Sequence, residues 1–259
     1  MGAMISRVAA GAVAVGVAGG VYRALRGRPR PGWLRTNYAG HTVDLYAGPA
    51  VALGAAAGAA VLPLPPRTRT AATLAVLAAG GCGAYDDFAG ADDPRRGFRA
   101  HLTALRHGEV TSGAVKLFGI GAAGLAAGAL LKERPVDRIL AGVVIAGTAH
   151  LVNLTDLRPG VATATVFALG APGLVRGGLG AAPMGAVAAL AAEELGERTM
   201  IGDAGAHALG AAVGLAIVAG NGRGGLAAHA VGVLAAAVNG DRISGLARRC
   251  RIGDVLSGR

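Results

Sequence analysis

Residues 114–131, AVKLFGIGAAGLAAGALL, decide the fold. They carry a single charge, Lys116, and are otherwise apolar or small. A helix of that length rises about 27 Å, close to the ~30 Å of hydrocarbon that a spanning helix must cross. Working outward, similar blocks recur at about 3–22, 46–64, 69–85, 137–155, 159–175, 179–195, 204–220 and 224–240, separated by short polar interruptions. The whole chain of 259 residues is 53% hydrophobic and only 15% charged, with a mean hydropathy of +0.51. Soluble domains carry about 25% charged residues. The expectation is an all-α, polytopic transmembrane bundle of about nine spans, forming one integral-membrane domain over residues 1–259. The 45 glycines follow no collagen period and mix with Ala, Val and Leu, as close-packed membrane helices require.

The charge pattern orients the bundle. The first apolar block is followed by Arg23, Arg26, Arg28 and Arg30, where a secretory signal would place its cleavage site, so it reads as a retained helix. With the N-terminus outside and the C-terminus cytoplasmic, the inner segments hold 17 of the 25 basic residues and the outer ones 8. The formal charge of +10 therefore reads as topology and headgroup contact, with no nucleic-acid partner expected. Cys82 and Cys250 have neither metal-site nor disulfide-framework spacing.

In this orientation four polar clusters fall at the inner ends of spans: Asn37 to Val43, Tyr85-Asp86-Asp87, Asn153-Leu154-Thr155-Asp156, and Met200 to Gly205. Ionisable groups at membrane depth are costly and usually face a bundle interior. Adjacent carboxylates such as Asp86 and Asp87 repel and invite a cation, or else they form a solvated helix end. Asn153 and Asp156, three residues apart, share one helix face and either bind a metal or headgroup or cap the helix. Asp203 lies between Gly202 and Gly205 and has a simple reading as a helix N-cap, or it meets a ligand approaching the backbone. Lys116, one of two lysines beside 23 arginines, is a snorkelling anchor or a point charge for phosphate. His150 and His207 read as core residues. Asp92 and Asp93 read as solvated surface.

In their order and spacing these clusters resemble the polyprenyl-phosphate N-acetylhexosamine-1-phosphate transferase family, which includes the lipid I translocase. The resemblance runs from about residue 35 to 210. Asn37 to Gly48 resembles the family's first inner loop, with Asp44 in place of its proline. Tyr85-Asp86-Asp87 resembles its aspartate pair, Val115-Lys116-Leu117 its lysine, Asn153 to Asp156 its Asn-Leu-Thr-Asp stretch, and Met200 to Gly205 its Met-Gly-Asp-x-Gly segment. The family commonly continues as Asp-Gly-x-Asp-Gly, whereas this chain reads Asp156-Leu157-Arg158-Pro159-Gly160. The histidine-rich late loop of the lipid I translocase has no counterpart, so the resemblance does not extend to lipid I synthesis.

The resemblance implies transfer of a sugar 1-phosphate from a UDP-sugar to a polyprenyl phosphate at the cytoplasmic face of a bacterial inner membrane. It implies Mg²⁺, with Mn²⁺ as a substitute, held by Asp203 and Asn153. Asp86, Asp87 and Lys116 are then expected in catalysis, and Asp156, Arg158, Asn37 and His41 in substrate binding. The small-residue surfaces would permit a homodimer. Two other classes stay open: a non-catalytic relative that binds polyprenyl phosphate or a membrane partner, and a transporter.

Overall fold

The apolar blocks fold as helices in the computed structural model, which describes residues 2–90, 98–250 and 252. In chain order, α1 is Gly2–Arg26, followed by a hairpin of β1 (Leu34–Thr36) and β2 (Thr42–Asp44), then α2 (Ala47–Ala60), α3 (Pro66–Ala89) and α4 (Phe98–Arg106). There follow α5 (Ser112–Leu131), α6 (Pro135–Thr155), α7 (Val161–Val175), α8 (Ala181–Ala188) and α9 (Ala191–Leu195). The last three are α10 (Gly202–Ala219), α11 (Arg223–Val238) and α12 (Gly240–Arg249). Asp92, Asp93 and the C-terminal arginines Arg251 and Arg259 lie outside the described residues.

Local chemistry sets several ends. Proline, whose missing N–H costs nothing in a first turn, begins α3 and α6. The Thr111 hydroxyl accepts the Ala114 N–H at 3.1 Å and caps α5. The block expected at 179–195 does not persist as one helix: Leu190 leaves helical geometry at φ −117°, ψ 3°, and divides α8 from α9. Among the described residues, Met4–Arg26, Ser112–Leu131, Pro135–Thr155 and Gly202–Ala219 are long and apolar enough to cross a membrane, while α2, α7 and α11 are shorter apolar helices.

Burial separates these helices by position. In α10 every residue except Asp203, Ile217 and Ala219 is buried, making it the central post of the bundle. It packs on α6, α3, α2 and α7. On α5, by contrast, Phe118, Leu125 and Leu130 point outward, an apolar surface that suits hydrocarbon and would be costly in water. Close approach to the post depends on glycine. A Cβ at Gly210 would lie 2.6 Å from the Ala149 Cα, and one at Gly214 would lie 2.8 Å from the Ile145 Cα. α6 and α10 therefore run antiparallel in a register that places Asn153 level with Ala206 and Asp156 level with Asp203. On another side, a Cβ at Gly83 would meet the Asp203 carbonyl oxygen at 2.2 Å, so α3 crosses α10 there with no room for a side chain.

The fold is all-α, with one small hairpin among the described residues that the apolar blocks do not announce. Its strands are three residues each, too short to leave an alternating pattern, and its turn is held by local chemistry. The Asn37 side-chain oxygen accepts the N–H groups of Ala39 and His41, both at 2.9 Å, and Gly40 takes φ +84°.

Candidate active site

The site forms where four segments distant in sequence meet at one end of the bundle. Asp86 and Asp87 lie in the last turn of α3, Lys116 in the first turns of α5, Asp156 just beyond α6, and Asp203 in the first turn of α10. The Lys116 ammonium donates to Asp86 Oδ2 at 2.6 Å and to Asp203 Oδ2. The Asp86 and Asp203 carboxylates are within hydrogen-bonding reach of each other, and Ser112 donates to Asp86. Two carboxylates this close are tolerable only with a shared cation, which Lys116 provides.

Asp87 faces differently from its neighbour. Its carboxylate accepts the N–H groups of Asp203 at 3.1 Å and Ala204 at 3.0 Å. It thus caps α10 from a different helix, because Ile201 at the N-cap position makes no side-chain cap. Asp203 therefore is not the N-cap that its glycine setting predicts. It is the second residue of the helix, and its side chain is turned to Lys116. The Gly202 φ of +60° makes the bend that allows this.

Asp156 accepts a hydrogen bond from the Gly202 backbone, as the α6–α10 register requires. Desolvation, then the neighbouring charges of Glu194, Asp203 and Asp87, push its carboxyl well above the usual carboxylate range. Asn153 lies one turn earlier on α6, and its side-chain amide has no hydrogen-bond partner among the described residues. Arg158 stacks its guanidinium over the Tyr38 ring at 4.0 Å, and among the described residues its buried Nε has no partner and its side chain meets no carboxylate.

Asn37 and His41 are not part of the acidic cluster. Asn37 Nδ2 donates to Glu197 Oε2 at 2.7 Å, and His41 Nδ1 sits 2.7 Å from the same oxygen, so both fasten the hairpin tip to the segment before α10. The loop they hold carries Tyr38 to Arg158. His207 is buried and its Nδ1 bonds the Asp203 carbonyl at 2.8 Å, consistent with a core histidine, while the His150 side chain is exposed.

Several residues that shape the site gave little signal in the sequence. Arg35 donates to the Asp87 carbonyl at 2.6 Å and ties the hairpin to α3. Asp44 accepts from Thr199 Oγ1 at 2.6 Å, and its carbonyl receives the Met200 N–H at 2.8 Å, so the hairpin positions the entry to α10. Glu194 is buried and accepts from Thr163 Oγ1 at 2.6 Å and Gly160 N at 3.2 Å.

The donor chemistry fits Mg²⁺. A magnesium ion takes oxygen ligands, usually one or two carboxylates completed by water and substrate phosphate. Asp203 at the start of α10, and Asn153 and Asp156 at the end of α6 and just beyond it, carry oxygen donors, and the Asn153 amide has no hydrogen-bond partner among the described residues. Among the described residues no three His, Cys, Asp or Glu side chains form a metal cage, the arrangement a wholly protein-bound ion would need.

No family model matches the chain, and no curated protein matches it either.

Proposed function

We propose that this protein transfers a sugar 1-phosphate from a UDP-sugar, of the UDP-N-acetylhexosamine class, to a polyprenyl phosphate, releasing UMP. The observation that carries this reading is the Lys116 ammonium held between Asp86 and Asp203, at one end of an apolar bundle. That is a charged, partly exposed cluster, and in this reading a lipid headgroup reaches it from the bilayer and a nucleotide from water. We place it at the cytoplasmic face of a bacterial inner membrane, with nine segments crossing, the N-terminus outside and the C-terminus inside.

An oxygen of the acceptor phosphate bonds to the sugar-bearing phosphorus as that phosphorus parts from the bridging oxygen, which leaves with UMP. A phosphate monoester is mostly a dianion at neutral pH, so no strong base is required. The demands are charge neutralisation and alignment of two anions. Lys116 supplies a cation for the phosphates. Asp86 orients the acceptor or takes a residual proton. Asp87 holds the N-terminus of α10, and with it Asp203, in place. Arg158, with no carboxylate partner among the described residues, meets the nucleotide side. When bound, Mg²⁺ or Mn²⁺ neutralises diphosphate charge, and Asp203 and Asn153, with Asp156 beside them, are the residues that would hold it.

The test is UMP release by purified protein supplied with polyprenyl phosphate, Mg²⁺ and a panel of UDP-sugars. Activity with at least one sugar, lost in Asp203→Ala while membrane insertion is kept, is the expected result. Full activity of Asp203→Ala contradicts the assignment.

A second reading has its own observation. Lys116 is already matched by two carboxylates, and Pro159 stands where the resembling family has its second aspartate. This suits a non-catalytic relative that binds polyprenyl phosphate. Lipid binding without UMP release from any sugar would favour it. A transporter ranks last, because the acidic groups gather at one end and not at mid-bundle.

A further inference from the structure

A cavity of about 360 Å³ opens at the end of α1, against α8 and α9, and no residue of the acidic cluster lines it. Its volume is in the range of small-molecule sites. Its walls are chemically divided. Leu190, which is buried, gives an apolar side, while Arg23 and Arg26 give a cationic one. Arg26 is engaged, donating to Glu193 at 3.1 Å and lying 3.9 Å from Asp44. Glu193, also in the wall, is further matched by Arg198 at 2.7 Å and faces the Tyr22 hydroxyl at 3.5 Å. The Arg23 carbonyl accepts the Gly27 N–H at 2.9 Å, but its guanidinium makes no hydrogen bond or ion pair among the described residues. Around the cavity three arginines thus face two carboxylates, and the surplus charge is at Arg23.

The approach to this charge is apolar. Val8, Ala12, Val15, Gly19 and Arg23 follow one another three or four residues apart on α1 and share a face. Val8 is 67% exposed and Val15 42%. The α1 window is also the least buried of the four candidate spans, at 17%. At Gly19, where the apolar stripe meets the cavity, a Cβ would find nothing within 4 Å. An extended hydrocarbon chain along this face would deliver its headgroup to Arg23.

We propose that this cavity is a binding site for an anionic phospholipid, with the lipid phosphate against Arg23 and Arg26 and an acyl chain along the Val8–Val15 face. The shape of the site requires both halves of the ligand: a phosphate alone leaves the apolar approach unused, and a zwitterionic lipid brings a cation to an already cationic pocket. The inference uses no residue of the transferase reading and stands or falls separately from it.

The experiment titrates purified full-length protein in a neutral detergent with phosphatidylglycerol, phosphatidylcholine or inorganic phosphate. Retained lipid is counted by native mass spectrometry, and thermal unfolding is followed in parallel. Phosphatidylglycerol is expected to raise the unfolding temperature and to be retained in preference to phosphatidylcholine. Arg23→Gln removes an exposed, unpaired charge and should weaken that binding about fivefold, the worth of one basic residue near an anionic surface. Gly19→Leu fills open space at the mouth and should remove one retained lipid. Equal stabilisation by inorganic phosphate, or equal retention of phosphatidylcholine, overturns the proposal. So does unchanged phosphatidylglycerol binding in Arg23→Gln, which decides the matter even if Gly19→Leu folds poorly.

Discussion

The carboxylate of Asp87 accepts the backbone N–H of Asp203 at 3.1 Å, joining the end of one helix to the beginning of another that lies far along the chain. A second bond, from Ala204 at 3.0 Å, completes the cap. Adjacent aspartates thus divide the work: Asp86 faces the ammonium, and Asp87 holds the helix that brings Asp203 to it. Replacing Asp87 with Ala leaves two N–H groups of α10 unpaired in a confined setting. It should destabilise the protein by about 2 kcal/mol. Asp87→Asn, which keeps an acceptor, should lose less. Thermal unfolding in detergent measures both, and the reverse order would contradict the capping role.

Lys116 is expected to be coupled to both its partners. Lys116→Met leaves Asp86 and Asp203 facing each other without a cation, a loss below the roughly 3 kcal/mol of a fully buried pair because these side chains are only partly buried. Adding Asp203→Asn should restore part of that stability, since one of the two repelling charges is then gone. A double-mutant cycle on unfolding free energies checks this, and additive losses would show that the two side chains do not interact. UMP release should be lost in the single and double variants alike.

Glycine substitutions separate contact from propensity on α3. Gly83→Ala places a Cβ against the Asp203 carbonyl, 2.2 Å away before relaxation. Forcing α3 from α10 should cost about 1–3 kcal/mol and lower activity by displacing Asp86 from Lys116. Gly81→Ala meets nothing within 4 Å and should be neutral or stabilising by up to about 1 kcal/mol. Comparing their unfolding temperatures tests the close crossing, and equal behaviour would remove it.

Glu194 should brace the start of α7 through its two hydrogen bonds. Glu194→Ala leaves the Thr163 hydroxyl and the Gly160 N–H without their acceptor, a loss of about 1–3 kcal/mol. Glu194→Gln, which keeps an acceptor for Thr163 or Gly160, should lose less. Thermal unfolding in detergent measures both, and equal losses would remove the bracing role.

Much of the fold is legible because helix and hydrocarbon impose one-dimensional rules. Apolar length, proline at first turns and threonine before α5 are local signals, and the helices follow them at nearly every block. The break at Leu190 carries no such signal, and the hairpin has strands too short for a period of two to show. Of the site, the residue types at Asp86, Lys116, Asn153, Asp156 and Asp203 stood out because charge and amide groups are conspicuous at the ends of apolar runs. Their roles did not. Nothing local distinguishes Asp87 from Asp86, and Asn37 and His41 drew notice in the same way as the acidic residues yet bind Glu197.

What the sequence by itself determined is the set of apolar helices and the gathering of polar residues at their ends, because burial and backbone hydrogen bonding act over a few turns of chain. Only the tertiary structure decided which carboxylate meets Lys116, which one caps α10, and that Arg35, Asp44 and Glu194 brace the site. Those choices rest on helix register. The glycines at 83, 210 and 214 fix how closely and at what height α3, α6 and α10 meet, and a shift of one residue along a helix turns a side chain by about 100°.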